Sequence, residues 1–316
     1  MRPPVLAAGA AAFLYMKRRQ LVQAQALESA PATKADSFDF SMNMSFRLRP
    51  LERKDFDNYF LGLLAELTAV GKLPLNWCEQ RLTMLTRDKQ QEMVVIEDLA
   101  NARVCAAGTL IVENKFIHEC GCVGHLEDVV VHAGLRNKGL GKRIVERINE
   151  MAKARGCYKI LVDCSQENIP FYEACGYKLK DAQMARYFDV NEEELPAAEP
   201  QKAAALAGTA DLGVPAKVGA DGTRRGGMFR FRPLRASDRE KFLNLLSQLT
   251  TVGDVSEKLF NDQLERIEQR QREFVVVAEP VDAPDDGSAI VACGTLVIEH
   301  KFIHGGRAVG HIEDIV

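Results

Sequence analysis

No C-x-x-C pair occurs among the 8 cysteines of this 316-residue chain, and only Cys120 and Cys122 stand close together. That spacing speaks against a zinc ribbon, and a disulfide framework is not expected at this size, so reduced thiols are the expectation. The six histidines show no metal-ligand spacing on one helix, which leaves no metal expected. Charge of one sign is also scarce. A net charge of -3 argues against a global nucleic-acid or membrane binder and confines any anion site to a local patch. The apolar run Val5 to Met16 is shorter than the roughly 17–25 residues of a spanning helix. It is followed by Lys17-Arg18-Arg19, and no acid precedes Glu28. Cytoplasmic residence is expected, with a membrane contact by residues 5–16 or an organelle address left open.

What is present is a chain that can bury a real core, with 47% hydrophobic and 27% charged residues. Residues 1–45 read as a flexible extension. Residues 46–188 alternate strand and helix patterns, and residues 189–227 are rich in Ala, Glu, Pro and Gly, as a linker is. Residues 228–316 repeat the first domain. Phe229 to Leu234 echoes Phe46 to Leu51, Gly294 to Glu299 echoes Gly108 to Glu113, and Gly310 to Asp314 echoes Gly124 to Asp128. The second copy reaches Val316 before any counterpart of the glycine turn, so it reads as a truncated domain without that turn.

Within the first copy, hydrophobic spacing predicts a strand at Phe46–Arg49, a helix from Phe56 to Leu67 stopped by Gly71, and a helix over Trp77–Arg87. Three strands, Glu92–Glu97, Val104–Glu113 and Gly124–Val131, come next, then a helix to Arg155 and a strand over Lys159–Cys164. A short helix from Ile169 to Cys175, capped by Asn168, and one or two closing strands over Tyr177–Phe188 complete the pattern. This order implies an α/β fold, a mixed sheet with helices on both faces and a central parallel crossover.

That crossover carries Arg136-Asn137-Lys138-Gly139-Leu140-Gly141 at a strand-to-helix junction. Glycines allow close backbone approach, and a helix N-terminus adds partial positive charge, so the turn suits a pyrophosphate. It is neither a G-x-x-x-x-G-K-[ST] loop nor a G-x-G-x-x-G turn. Taken alone, the glycine pattern equally describes an ordinary β-turn-α corner. Glu127 and Asp128 interrupt an apolar strand beside it, Asp163 ends the next strand, and Asn168 and Tyr172 follow. Neighbouring strand residues point to opposite faces, so Glu127 and Asp128 are not both expected to be buried in one way. Singly, each of these has an ordinary structural role open to it. Jointly they point to a site. Lys115-Phe116-Ile117-His118, in the turn after the third strand, suits a phosphate or sugar contact, or a surface loop.

The ordered set GTLIVENKFIHECG, GHLEDVVV, RNKGLGK, CYKILVDC and NIPFYEACGY closely resembles the glucosamine 6-phosphate N-acetyltransferase family of the GNAT superfamily, over roughly residues 46–188. The resemblance implies the GNAT α+β fold with a mostly antiparallel sheet, acetyl-CoA as cosubstrate, and acetylation of glucosamine 6-phosphate on the route to UDP-N-acetylglucosamine. Carried over by residue, it implies backbone from Val129, Val130 and Val131 for the pantetheine arm. Arg136, Asn137, Lys138, Gly139, Leu140, Gly141 and Lys142 would hold the pyrophosphate, with Asn168 and Tyr172 along the cofactor arm. Thr68, Lys115, Phe116, Ile117, His118, Glu127, Asp128, Val129, Asp163 and Cys164 match sugar-phosphate positions, and Arg186 is carried over one position from the expected one, at Tyr187. Chemistry adds the roles: Asp163, helped by Glu127, as base, strand N–H groups near Val129 for the oxyanion, and Tyr172 for the leaving thiolate. Cys164 lacks an evident His partner and reads as structural. The family forms homodimers whose sites draw on both subunits, so a homodimer or an internal pseudo-dimer through the second copy is expected. An acetyltransferase acting on a protein or polyamine amine, and a non-catalytic acyl-CoA-binding regulator, are the alternatives.

Overall fold

The structure is a computed structural model that describes residues 46–188 and 229–316, apart from positions 271, 281 and 285. The extension and the linker read from the sequence lie outside these residues. Strands β1 (Phe46–Pro50), β2 (Gln91–Asp98), β3 (Arg103–Asn114), β4 (Cys122–Val131) and β5 (Cys157–Val162) form a five-stranded sheet in that order. All pairings are antiparallel except β4 with β5, which is parallel. Four helices accompany it: α1 (Phe60–Ala65), α2 (Leu75–Asp88), α3 (Leu140–Ala154) and α4 (Ile169–Ala174). β3 is buried along nearly its whole length, the mark of a strand covered on both faces. Alternation shows which helices cover it. Ala107 joins Phe60, Leu63 and Trp77 of α1 and α2, while a Cβ at the next residue, Gly108, would press on Ile144 and Ile148 of α3.

Four sequence expectations change. The helix expected from Phe56 to Leu67 is split, because Tyr59 sits at φ 74 between a 3-10 turn at Arg53–Phe56 and α1. Gly71 stops no helix; its φ of 83 places it against Gly305 of the second copy. Residues 178–188 form no strand and lie exposed, since no described strand offers them a ladder. β5 is therefore the edge of the described sheet, and the parallel crossover sits at the edge and not at the centre. No helix among the described residues is long and apolar enough to cross a membrane. All eight cysteines are free thiols.

The second copy builds β6 (Phe229–Pro233), α5 (Arg239–Leu246), α6 (Glu257–Arg270), β7 (Glu273–Pro280), β8 (Ala292–His300) and β9 (Ala308–Glu313), with a four-stranded antiparallel sheet in the order β6-β7-β8-β9. The repeat is legible in its buried ion networks. Arg49 grips Asp55 through two hydrogen bonds of 2.7 and 2.8 Å and also binds Glu97. Arg232 repeats this with Asp238 at 2.6 and 2.8 Å and with Glu279. Bidentate guanidinium–carboxylate pairs of this kind repay the desolvation of both charges.

The copies exchange loops. Phe302 and Ile303, after β8, complete the first copy's core, where Phe302 meets Phe56, Phe60 and Trp77 edge-on or tilted at centroid distances of 5.3 to 6.2 Å. Phe116 and Ile117, after β3, do the same in the second core beside Phe242 and Phe260. Each buried Phe contributes roughly 1.5–3 kcal/mol. Backbone bonds seal both loops: His304 N donates to Ala69 O and Gly305 N to Val70 O, while His118 N donates to Thr251 O and Glu119 N to Val252 O. Such reciprocity is that of a two-fold interface, here within one chain.

Candidate active site

At the end of β4 the chain turns through Ala133–Leu135 and enters α3 at Gly139. Asn137 has φ 61 and Gly139 φ 79, so the turn carries left-handed residues that point successive N–H groups outward. No side chain caps α3, whose first amides, those of Leu140, Gly141 and Lys142, have no partner within the helix. Space in front of Gly139 is open. A Cβ on Gly141 would instead crowd the Phe171 ring at 3.3 Å, so this glycine lets α4 close over the turn. Arg136 folds back with Nε 3.2 Å from Val131 O, and Lys142 pairs loosely with Glu146 on the exposed face. An uncapped helix N-terminus with glycines where a ligand must approach fits the pyrophosphate of acetyl-CoA.

Immediately before this turn β4 is bulged. Val130 pairs with Ala107 and Glu127 with Thr109, and neither Asp128 nor Val129 has a ladder partner. Asp128 takes φ 51. The bulge overturns the expectation that the two acids must point apart: Glu127 Oε2 and Asp128 Oδ1 lie 3.2 and 3.1 Å from the same ammonium, Lys301 Nζ. That lysine comes from the second copy and also pairs with Glu299, which His311 Nε2 contacts at 3.1 Å. Burial works against the Lys301 charge, but the Glu299, Asp128 and Glu127 carboxylates outweigh it and keep the lysine pKa raised. Glu127 is raised by burial and by Glu299, and Asp128 by burial, in each case against the pull of Lys301. For His311, the Glu299 hydrogen bond and charge overcome burial and raise its pKa. Three carboxylates thus share two cationic partners, and the Glu127–Asp128 pair is the part most ready to take up a proton.

The structure brings several expected residues to this point. β5 ends opposite it, Leu126 pairing with Val162, so Asp163 and Cys164 continue where the parallel strands separate. Asp163 is exposed and accepts a hydrogen bond from Gln183. Tyr172 packs edge-on against Phe171 and Tyr177, and burial, with the charges of Cys164 and Glu127, pushes its hydroxyl up to about 12. Asn168 does not cap α4; its Nδ2 donates to Ser165 Oγ at 3.2 Å. Thr68 is half-buried and directly precedes the Ala69 and Val70 carbonyls that seat the second copy's loop.

Other expected residues lie elsewhere. Lys115 is buried with Glu113, Glu313 and Asp314, and Phe116 and Ile117 are core of the second copy. The His118 ring stacks on Tyr158 at 4.4 Å. Arg186 and Tyr187 are exposed in the segment without regular structure, the Arg186 guanidinium 5.5 Å from the Phe188 ring, so no strand orients either one. Among the described residues two groups of metal-ligand type occur, Glu113–His125–Glu313 and Glu127–Glu299–His311, and each is already joined by an ammonium, Lys115 or Lys301. Reasoning from the first copy alone missed Lys301, Glu299 and His311. The signal was present in the repeat, where Lys301-Phe302-Ile303-His304 duplicates Lys115-Phe116-Ile117-His118.

A glycine-gated helix N-terminus beside a bulged parallel strand defines an acyl-CoA-dependent transferase site, and residues 60–177 match the acetyltransferase (GNAT) family. A glucosamine 6-phosphate N-acetyltransferase 1 of Oryza sativa subsp. japonica is 44% identical over 145 residues, 46% of this chain and 88% of that protein. The glucosamine 6-phosphate N-acetyltransferase of Arabidopsis thaliana is 39% identical over 149 residues, 47% of this chain and all of that protein. The crystal structure of that Arabidopsis enzyme aligns over 46% of this chain and 99% of its own, with a TM-score of 0.45. The chain belongs to the GNAT acetyltransferase family.

Proposed function

We propose that the protein transfers the acetyl group of acetyl-CoA to the amine of glucosamine 6-phosphate, giving N-acetylglucosamine 6-phosphate, by direct attack in a ternary complex. The observation that carries this reading is the bulge at Asp128, which sets the Glu127–Asp128 carboxylate pair beside an open helix N-terminus. The relatives that support the substrate are named for glucosamine 6-phosphate. The product is of the kind that feeds UDP-N-acetylglucosamine synthesis.

The turn from Arg136 to Lys142 holds the pyrophosphate, and the backbone of Val129, Val130 and Val131 aligns the pantetheine arm toward Tyr172 and Asn168. A sugar ammonium has no lone pair for attack, so its proton must leave first. The Glu127–Asp128 pair accepts it, and the pair suits this better than exposed Asp163, because burial has raised its affinity for a proton. Asp163 and Cys164 line the sugar side. The backbone N–H of Val129, at the bulge, donates to the oxygen where negative charge develops. Tyr172, whose hydroxyl stays protonated up to about pH 12, supplies the proton for the departing thiolate.

Acetyl-CoA-dependent thiol release, measured with glucosamine 6-phosphate, glucosamine, glucosamine 1-phosphate and a lysine peptide, tests this reading. Turnover centred on glucosamine 6-phosphate is expected. Acetylation of the peptide with the sugar ignored would move the protein to another amine substrate. Silence with every amine despite acetyl-CoA binding would leave a regulatory acyl-CoA binder.

A further inference from the structure

We propose that Cys122 is a redox-modification site: with Cys157 beside it, it exchanges with small acidic disulfides held in an arginine-lined cavity between the two copies. The proposal goes beyond the acetyltransferase reading and does not depend on it.

Strand pairing brings the two thiols together. Cys122 opens β4 and Cys157 opens β5, and the two are direct partners in the parallel ladder. Neighbouring strands run about 4.8 Å apart, within the Cα span of a disulfide. The sulfur atoms already stand 3.5 Å from each other. The register slips immediately after the pair, between Cys122 and Val123, and β5 is the edge of the described sheet. An irregular ladder at a sheet edge leaves room for the side-chain rotation that closes the remaining gap.

The pair faces a cavity of about 300 Å³, at the lower end of the range for small-ligand sites. Asn114, Cys120 and Cys122 line it with Arg155, which follows α3, and with Arg266 and Arg270 of α6 in the second copy. No acidic side chain lines it among the described residues. Arg155 is already engaged, pairing with Glu92 and donating to Lys89 O at 2.7 Å. Arg266 donates to an amide oxygen, Gln263 Oε1, at 3.3 Å. Among the described residues no carboxylate stands at ion-pair distance from Arg266 or Arg270. Two guanidinium groups without anionic partners, beside a thiol, suit a ligand whose carboxylates flank a sulfur.

The thiols are not equivalent. The other seven titrate above their ordinary value, with burial the main cause in all but Cys157. A hydrogen bond from the Cys157 thiol holds Cys122 down at about 7 against burial, with help from the Arg155 charge. A thiol that titrates near ambient pH is the best placed to attack a disulfide.

The exchange balances in two steps. The Cys122 thiolate attacks one sulfur of R–S–S–R, whose S–S bond breaks, so that Cys122–S–S–R forms and RS⁻ leaves. Capping Cys122 removes the charge and the hydrogen bond that hold Cys157 protonated. Cys157 then loses its proton and attacks Cys122 Sγ, forming the Cys122–Cys157 bond and releasing the second RS⁻. The two protons lost by the pair are taken up by the two released thiolates. The external disulfide is reduced by two electrons and the cysteine pair is oxidised by two.

The test uses the full chain with its thiols reduced, glutathione disulfide as the acidic probe, and dicationic cystamine as the counter-probe. Acid quenching and peptide mapping locate the products. A Cys122–Cys157 bond is expected in the wild type, and glutathione on Cys122 in Cys157→Ser. Replacing both Arg266→Ser and Arg270→Ser is expected to slow modification by glutathione disulfide about tenfold and to leave cystamine no slower. The wild type alone makes the same comparison. Its rate with glutathione disulfide relative to cystamine should exceed the ratio for free N-acetylcysteine by about tenfold. Glutathione arriving first on exposed Cys164, no Cys122–Cys157 bond in the wild type, or a rate ratio equal to that of the free thiol would overturn the proposal. None of these readouts involves acetyl transfer, so they stand or fall apart from the proposed function.

Discussion

Asp128 stands at φ 51 on a bulge, and through it shares Lys301 with its neighbour Glu127, although adjacent strand residues ordinarily face apart. The left-handed backbone costs about 1 kcal/mol for most residues and less for Asp or Asn, whose short polar side chains visit this region readily. Asp128→Asn is therefore expected to fold with little change in melting temperature while losing about 100-fold in kcat, as a proton acceptor is removed. Steady-state kinetics beside a thermal melt checks this, and an active Asp128→Asn enzyme would contradict it.

The same pair sets the acid limb of the pH profile. A carboxylate must be ionised to accept the ammonium proton, and Glu127 and Asp128 both titrate above their ordinary range because they are buried. Activity should thus fall as pH drops through a value above the ordinary carboxylate pKa of about 4. Glu127→Gln should remove one carboxylate from the pair and move this limb toward lower pH, visible in log kcat/KM against pH.

A second titration belongs to stability. Glu273, buried at the join of the two copies, accepts hydrogen bonds from Gln90 Nε2, Asn114 N and Asn114 Nδ2 at 2.8 to 3.0 Å, and burial raises its pKa to about 7. Its folded pKa lies above its unfolded one, so its contribution is complete below the unfolded value of 4.5 and is lost as pH rises to about 7. Glu273→Gln should flatten this part of the stability curve and exceed the wild type at pH 8, by on the order of 2 kcal/mol. Denaturant melts across that range provide the check.

In the cofactor turn, Gly139 has φ 79 with open space before it. Gly139→Ala should cost about 1–2 kcal/mol of stability through backbone strain. The added methyl projects into the space a pyrophosphate would approach, so the KM for acetyl-CoA should rise as well. Gly141→Ala should act differently, displacing the Phe171 ring and loosening α4. Calorimetric acetyl-CoA binding to both variants separates the two effects.

Much of the fold was legible because it rests on local pattern. Strands β2, β3 and β4, the helices α2 and α3 and the glycine turn all fall where alternation and helical spacing place them. The repeat was equally plain, since Phe229-Arg230-Phe231-Arg232-Pro233 copies the Arg49-type network residue for residue. What escaped was non-local. The bulge at Asp128 is decided by the pairing of β4 with β3, and a period of two cannot announce one extra residue. The destination of Lys115 is decided by the second copy, which receives its loop, and nothing within residues 46–188 records that exchange. Tyr177–Phe188 has the composition of a strand, but a strand needs a neighbour, and none of the described strands pairs with it.

The central claim is direct transfer of acetyl to the amine of a sugar phosphate. Incubation with carbonyl-labelled acetyl-CoA and glucosamine 6-phosphate, followed by carbon NMR and intact-protein mass spectrometry, tests it most directly. The account predicts label in the amide of N-acetylglucosamine 6-phosphate, no acetylated protein at any time, and a slower transfer by Tyr172→Phe. Label on a cysteine of the protein before it reaches the sugar, or on a peptide amine and never on the sugar, would contradict it.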